Sequence, residues 1–228
     1  AICNGWNNEC YDYIKKFEEK FQQFIGIKHC LTTSSCTGAL QIGMMALGIG
    51  YGDEVIVPDL TWVATASAVK NIRATPIFCD VEPDTYNLNP YEIKKHITKR
   101  TKAIIVVHMY GHPARMDTIK KIAQEYRLRL IEDAAPAIGA KWQKRLCGTF
   151  GDFSAFSFQG AKLLVTGEGG MLCTDNTELY LKAKKIADHG RNNDKGFWID
   201  VVGVKFKMSN IQAALGLGQL QRIESLIQ

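Results

Sequence analysis

Between residues 29 and 133 short apolar runs alternate with longer stretches of helical spacing, and that rhythm constrains the fold more than any other feature. His29–Thr33, Glu54–Pro58, Thr75–Asp80, Ala103–His108 and Leu128–Glu132 have strand length and are rich in branched apolar residues. Helical patterns separate them over Thr37–Leu47, Thr61–Asn71, Pro90–His96 and Asp117–Tyr126. A strand that is apolar throughout needs cover on both faces, and intervening amphipathic helices supply it, so the pattern predicts an α/β fold with a parallel sheet. A helix over Tyr11–Phe24, carrying Tyr13, Phe17, Phe21 and Phe24, precedes this region and stops at Gly26. After Gly139 the rhythm changes. Phe153–Phe158 and Gly170–Thr174 read as strands with Lys162 between them, and Asn176–His189 and Met208–Ile227 as helices. The last helix shows an apolar stripe of Ile211, Ala214, Leu215, Leu220 and Ile223. It runs to Gln228 without a compact end, which suggests a further C-terminal segment.

Composition narrows the partners. The 228 residues are 46% hydrophobic and 22% charged, enough for one sizeable core. The net charge of +5 is spread among acidic residues, and the densest basic stretch, Lys182 to Lys185, falls on a predicted helix as a solvated face. With no arginine-rich arm and no basic–aromatic alternation, nucleic acid is not an expected partner; small anionic substrates suit the charge better. Seven cysteines, at 3, 10, 30, 36, 79, 147 and 173, form no C-x-x-C pair, which argues against zinc and for reduced thiols in a cytoplasmic setting. No apolar run reaches the roughly 18 residues of a membrane span, and neither end resembles a signal peptide. The expectation is a soluble, intracellular protein.

Lys162 is the centre of the chemical reading. A lysine held against packed backbone tends to lose its proton by desolvation, and a neutral amine is the nucleophile that condenses with an aldehyde cofactor. Its flanks, Phe156, Phe158 and Leu163 to Val165, favour burial over an ordinary surface position. Pyridoxal phosphate (PLP) needs such a lysine, an acid for its pyridinium nitrogen, and amides with hydroxyls for its phosphate. Asp133 ends an apolar strand at the edge where open α/β sheets place ligands; a helix N-cap is the competing role. Ser34 to Ala39, between strand and helix, offers hydroxyls and free N–H groups for an anion, or ordinary capping. Trp62 is suited either to stacking on an aromatic cofactor or to the core. Ser157 reaches toward a phosphate or bonds within its strand. His108 and His189 read as structural hydrogen-bonders. No P-loop and no G-x-G-x-x-G is present.

Taken together these segments resemble a known family, the PLP-dependent aminotransferases of nucleotide-linked keto-sugars (the DegT/DnrJ/EryC1/StrS group). The likeness covers nearly all of 11–228 and rests on motifs in order. They are Ser35-Cys36-Thr37-Gly38-Ala39-Leu40, Ala46 through Pro58, Thr61-Trp62-Val63-Ala64-Thr65-Ala66, Ala74-Thr75-Pro76-Ile77-Phe78, His108-Met109-Tyr110-Gly111, Glu132-Asp133-Ala134-Ala135, Ser157 through Gly170, and Met208-Ser209-Asn210-Ile211-Gln212-Ala213-Ala214.

The resemblance implies a fold-type I large domain, with a mainly parallel seven-stranded sheet and helices on both faces. It implies an N-terminal helical segment at 1–26, the PLP-binding domain at 27–207, and at 208–228 the start of a long helix toward a C-terminal small domain absent from this sequence. By the same resemblance Lys162 bonds the cofactor aldehyde and acts as general base, Asp133 pairs with the ring nitrogen, and Trp62 stacks on the ring. Cys36, Thr37 and Ser157 hold the phosphate, and Lys205 reaches the neighbouring subunit's cofactor in a homodimer with interfacial active sites. An amino acid, usually L-glutamate, gives its amine to the 3- or 4-keto group of a nucleotide sugar. Three positions depart from the pattern. Pro136 stands where many members place Gln, His or Glu against the cofactor's phenolic oxygen, and Lys205 and Lys207 stand where many have Asn and Arg. A sugar 3-dehydratase on this scaffold replaces the lysine with histidine, so Lys162 speaks against that alternative; a non-catalytic PLP-binding relative is the other.

Overall fold

The apolar runs become strands almost where the pattern predicts them. They are β1 (His29–Thr33), β2 (Glu54–Pro58), β3 (Thr75–Cys79), β4 (Thr101–Val107), β5 (Arg129–Asp133), β6 (Lys141–Trp142), β7 (Arg145–Leu146), β8 (Phe153–Ser157) and β9 (Gly170–Thr174). The helices are α1 (Asp12–Ile25), α2 (Cys36–Ala46), α3 (Ala64–Asn71), α4 (Pro90–Ile93), α5 (Met116–Glu125), α6 (Thr177–Ala187), α7 (Asn210–Leu220) and α8 (Ile223–Ile227). This computed structural model describes residues 1–192 and 198–228.

Seven strands form one sheet in the order β1-β9-β8-β5-β4-β2-β3, and β6 and β7 make a separate hairpin. Neighbours from β3 to β8 are parallel, whereas β9 runs antiparallel to both β8 and β1. Alternation along the parallel strands splits the core in two. Val55, Val57, Ile105 and Ile131 pack with α2, α3 and α6, while Ile56, Ile104, Val106 and Leu130 pack with α5. Each layer buries a continuous apolar surface, the main driving term for the fold. Phe17 and Phe21 of α1 join Phe156 and Phe158 in a third cluster with α7. Their rings meet at centroid distances of 5.2–5.3 Å with tilted planes, the geometry aromatic quadrupoles prefer.

Three expectations need correction. The single helix over Met208–Ile227 is two helices, broken at Gln221 and Arg222, and the break turns α8 so that Ile227 lies over Gly139. The stripe assigned to that helix is only in part its buried face: Leu220 and Ile223 are buried, but Ile211 and Leu215 are exposed, and Asn210, Ala213 and Gly216 fill the seam instead. Lastly, β6 and β7 fall in a stretch that carries no strand pattern in the sequence reading. Among the described residues no helix is long and apolar enough to cross a membrane.

Candidate active site

All the parallel strands end at one edge, and the side chains singled out above follow those ends. Asp133 is the last residue of β5, Ser157 the last of β8, and Trp62 lies four residues beyond the end of β2. The turn from β1 into α2 carries Ser35, Cys36 and Thr37 to the same edge, because β1 points in the direction of β8.

Asp133 is 6% exposed. Its Oδ2 accepts from the Thr65 hydroxyl at 2.8 Å; its Oδ1 accepts from the Ala135 amide at 3.2 Å and from the Cys36 thiol at 3.7 Å. Burial raises its pKa above the usual carboxylate range. The Thr65, Ala135 and Cys36 donors and the positive charge of Lys162 act the other way. The same lysine charge opposes the rise in the Cys36 pKa, which burial and then the Asp133 charge drive well above the ordinary thiol value. The Cys36 thiol is thus a donor turned to Asp133.

Lys162 sits on the turn joining β8 to β9 and is half-buried. That turn is locked by its own backbone: Gly160 N–H donates to Gly167 O at 3.0 Å, Lys162 N–H to Gln159 O at 2.9 Å and Thr166 N–H to Phe158 O at 2.8 Å. Fully buried Phe158 and Leu164 anchor its two limbs.

The α2 N-terminus takes shape from two small residues. Ser35 caps the helix, its Oγ accepting from Gly38 N–H at 3.0 Å, so the capping role holds for that serine. A side chain at Gly170 would collide with the backbone of Ser35 and Cys36, so only glycine lets β9 approach the helix start this closely. Ser157 is the strand partner of Gly170 and faces the same side of the sheet, toward that helix start. Its Oγ accepts only a long 3.4 Å bond from Gln159 N–H. Thr37 is half-buried, and its hydroxyl has no hydrogen-bond partner among the described residues.

The remaining positions lie differently. Trp62 is 78% exposed and thus not a core residue. Pro136 is half-buried in the turn after β5, its carbonyl close against Gly111. Lys205 pairs with Asp188 at 3.5 Å, as does Lys207, and among the described residues no hydrogen bond or ion pair joins Lys205 to Lys162 or Asp133. The sequence reading passed over Thr65, which only its place in a motif marked; His108 is the structural hydrogen-bonder expected, bonded to Glu132 at 3.1 Å and to the Ala114 amide. A cavity of about 240 Å³ between α1 and α6, lined by Tyr11, Glu18, Tyr180, Asp188 and Lys207, includes none of Cys36, Thr37, Trp62, Asp133, Ser157 and Lys162.

Comparison with known proteins identifies the family. The family model described as the DegT/DnrJ/EryC1/StrS aminotransferase family matches residues 1–228. A GDP-perosamine synthase of Caulobacter vibrioides is 42% identical over 219 residues, covering 96% of this chain and 59% of its own length. Among solved structures, an aminotransferase from Psychrobacter cryohalolentis superposes with a TM-score of 0.90 at 36% identity, over 94% of this chain and 57% of that one. NtdA from Bacillus subtilis, with bound cofactor PMP, gives 0.88 at 36% identity, over 93% and 48%. The chain spans about three-fifths of the length of the curated relatives it matches. Its sheet order is the fold-type I transferase arrangement, and the chain belongs to the DegT/DnrJ/EryC1/StrS aminotransferase family.

Proposed function

We propose that this chain forms the cofactor-binding part of a PLP-dependent aminotransferase. It moves an amino group from an amino acid, L-glutamate foremost, to the keto group of a nucleotide-linked deoxysugar such as a 4-keto-6-deoxy sugar for surface polysaccharide. The observation that carries the reading is Asp133, a 6%-exposed carboxylate held by three donors at the sheet's carboxyl edge, with half-buried Lys162 on the turn that leaves the neighbouring strand β8.

The residues fit the cofactor in its chemical parts. Asp133, whose charged form the Thr65 and Ala135 donors favour against the cost of burial, would pair with the ring nitrogen's proton. The exposed indole of Trp62 covers a ring face. The open hydroxyls of Thr37 and Ser157 and the first N–H groups of α2 take the phosphate, with the helix dipole adding to the attraction. Cys36 contributes its amide there, its thiol being engaged with Asp133. Pro136 has no donor for the phenolic oxygen. Bound here, PLP supplies an electron sink for the carbon that gains or loses the amine. Lys162 is the residue that would hold the aldehyde end of the cofactor through its amine, and the same amine would serve as the base for the proton on the amino acid's Cα. Lys205, exposed on the chain, serves a second copy's phosphate in a cytoplasmic homodimer.

Borohydride reduction after incubation with PLP tests the core of this reading. Mass spectrometry of the digest should show one pyridoxyl adduct, on the Lys162 peptide, and none in Lys162→Ala. L-Glutamate should bleach the visible cofactor band. An adduct on another lysine, or an undiminished adduct in Lys162→Ala, overturns the assignment.

A further inference from the structure

The carboxylate and the indole assigned to the cofactor meet at one residue. Thr65 is fully buried in the first turn of α3. Its amide donates to Trp62 O at 3.2 Å, and its hydroxyl donates to Asp133 Oδ2 at 2.8 Å. A hydroxyl has one hydrogen to give. With that hydrogen on the carboxylate, the 3.3 Å contact to Thr61 Oγ1 is one in which Thr61 donates. Thr61, Thr65 and Asp133 thus form a directed chain, and the turn carrying Trp62 is bonded to it through the main chain as well.

We propose that Thr65 is a positioning residue which fixes the ring-nitrogen acid and the ring-face indole as a single unit. The inference rests on the PLP reading of the site. It follows from how unequally Asp133 is held. Oδ1 has a long amide bond and a weak thiol contact, so the short bond from Thr65 is what stops the carboxylate from rotating. Of the influences that oppose the cost of burying Asp133, the Thr65 hydroxyl is the largest. Valine at this position keeps the shape and buries the carboxylate without its best donor.

Thr65→Val, Thr65→Ser and Thr61→Val, each with the chain otherwise intact, make the test. Two readouts are used. One is PLP affinity by titration, and the other is the pH titration of the Asp133 carboxyl stretch in infrared spectra of the cofactor-free chain, assigned with Asp133→Asn. Thr65→Val should weaken PLP about ten- to hundredfold, the range for losing a hydrogen bond to a charged group, and move the Asp133 titration upward. Thr65→Ser should restore both. Thr61→Val should weaken PLP about threefold with little change in Asp133. Unchanged affinity and titration in Thr65→Val overturn the inference. If Thr65→Val loses its fold by circular dichroism, unchanged PLP affinity in Thr61→Val overturns it. Failure of the parent chain to bind PLP at Lys162 is a separate result, and it sinks the functional reading and this inference together.

Discussion

Two adjacent acids on β5 face opposite sides of the sheet and do different work. Asp133 faces the site, while Glu132 is fully buried beneath it. Its Oε1 accepts from Phe150 N–H at 2.6 Å and Gly151 N–H at 2.8 Å, and its Oε2 accepts from Gly148 N–H at 2.7 Å. His108 completes the set at 3.1 Å; its Nδ1 accepts from the Ala114 amide, so Nε2 carries the hydrogen that goes to Glu132. Glu132→Gln replaces an acceptor with a donor facing other donors, and should cost about 2–3 kcal/mol in urea unfolding. Glu18 offers a pH test. Burial raises its pKa above the ordinary 4.5, against the two bonds from Thr32 and the charge of Lys184. The folded chain thus holds this proton more tightly than the unfolded one. The associated stability is full below the unfolded value and is lost as pH rises through the folded value. Glu18→Gln should therefore gain on the parent as pH is raised from about 4 to about 7, read from urea midpoints; a constant difference would reject this. At this scale the sequence showed that Asp133 ends a strand and that Lys162 lies on the connection between two strands. It did not show direction. The family resemblance put Cys36 among the phosphate residues, and only coordinates turn its thiol to Asp133.

Element packing depends on small residues as much as on large ones, which explains the misread face of α7. A periodicity argument selects Ile211 and Leu215 because they are big and apolar. The buried seam uses Ala213 and Gly216 instead, since α1 brings Phe17 so close that a side chain at Gly216 would meet its ring at 2.6 Å. Asn210 fixes the register, accepting from Tyr13 N–H at 2.9 Å and donating to Gly5 O and Glu9 O. Glycine substitutions within helices should consequently split by sign. Gly218→Ala meets nothing within 4 Å and should gain about 0.5–1 kcal/mol through helix propensity. Gly43→Ala earns the same propensity but drives a methyl into the ring of Phe153, which is 1% exposed and cannot move aside. Overpacking of that kind costs about 1–3 kcal/mol, so a net loss is expected. Thermal or urea unfolding of both variants checks the pair, and equal effects would refute the packing argument. The hairpin of β6 and β7 was illegible for a related reason. Gln143 and Lys144 adopt left-handed backbone at its tip without the Asn or Gly that normally announces such a turn.

For the whole molecule, the sheet was legible because its strands are apolar on both sides, and a chain of alternating strands and helices has few ways to cover them. The surface was less so. Trp198, Ile199 and Val202 are exposed by 63%, 50% and 87%, near Lys205 on the segment entering α7. Exposed apolar groups gathered on one segment mark a contact surface more often than chance does. The proposed homodimer gives them an occupant, a second copy of the chain, and puts Lys205 at the junction. Val202→Asp tests this with little risk to the fold, since a side chain 87% exposed contributes almost nothing to the core. A carboxylate forced into an apolar contact costs enough to weaken association tenfold or more. Sedimentation should show the parent as a dimer and Val202→Asp shifted toward monomer, with an unchanged melting temperature. PLP affinity should fall in step with dimer dissociation and recover at high chain concentration, because the missing group belongs to the second copy. A parent that sediments as a monomer at every concentration, yet binds PLP at full strength, would remove Lys205 and the partner from the site.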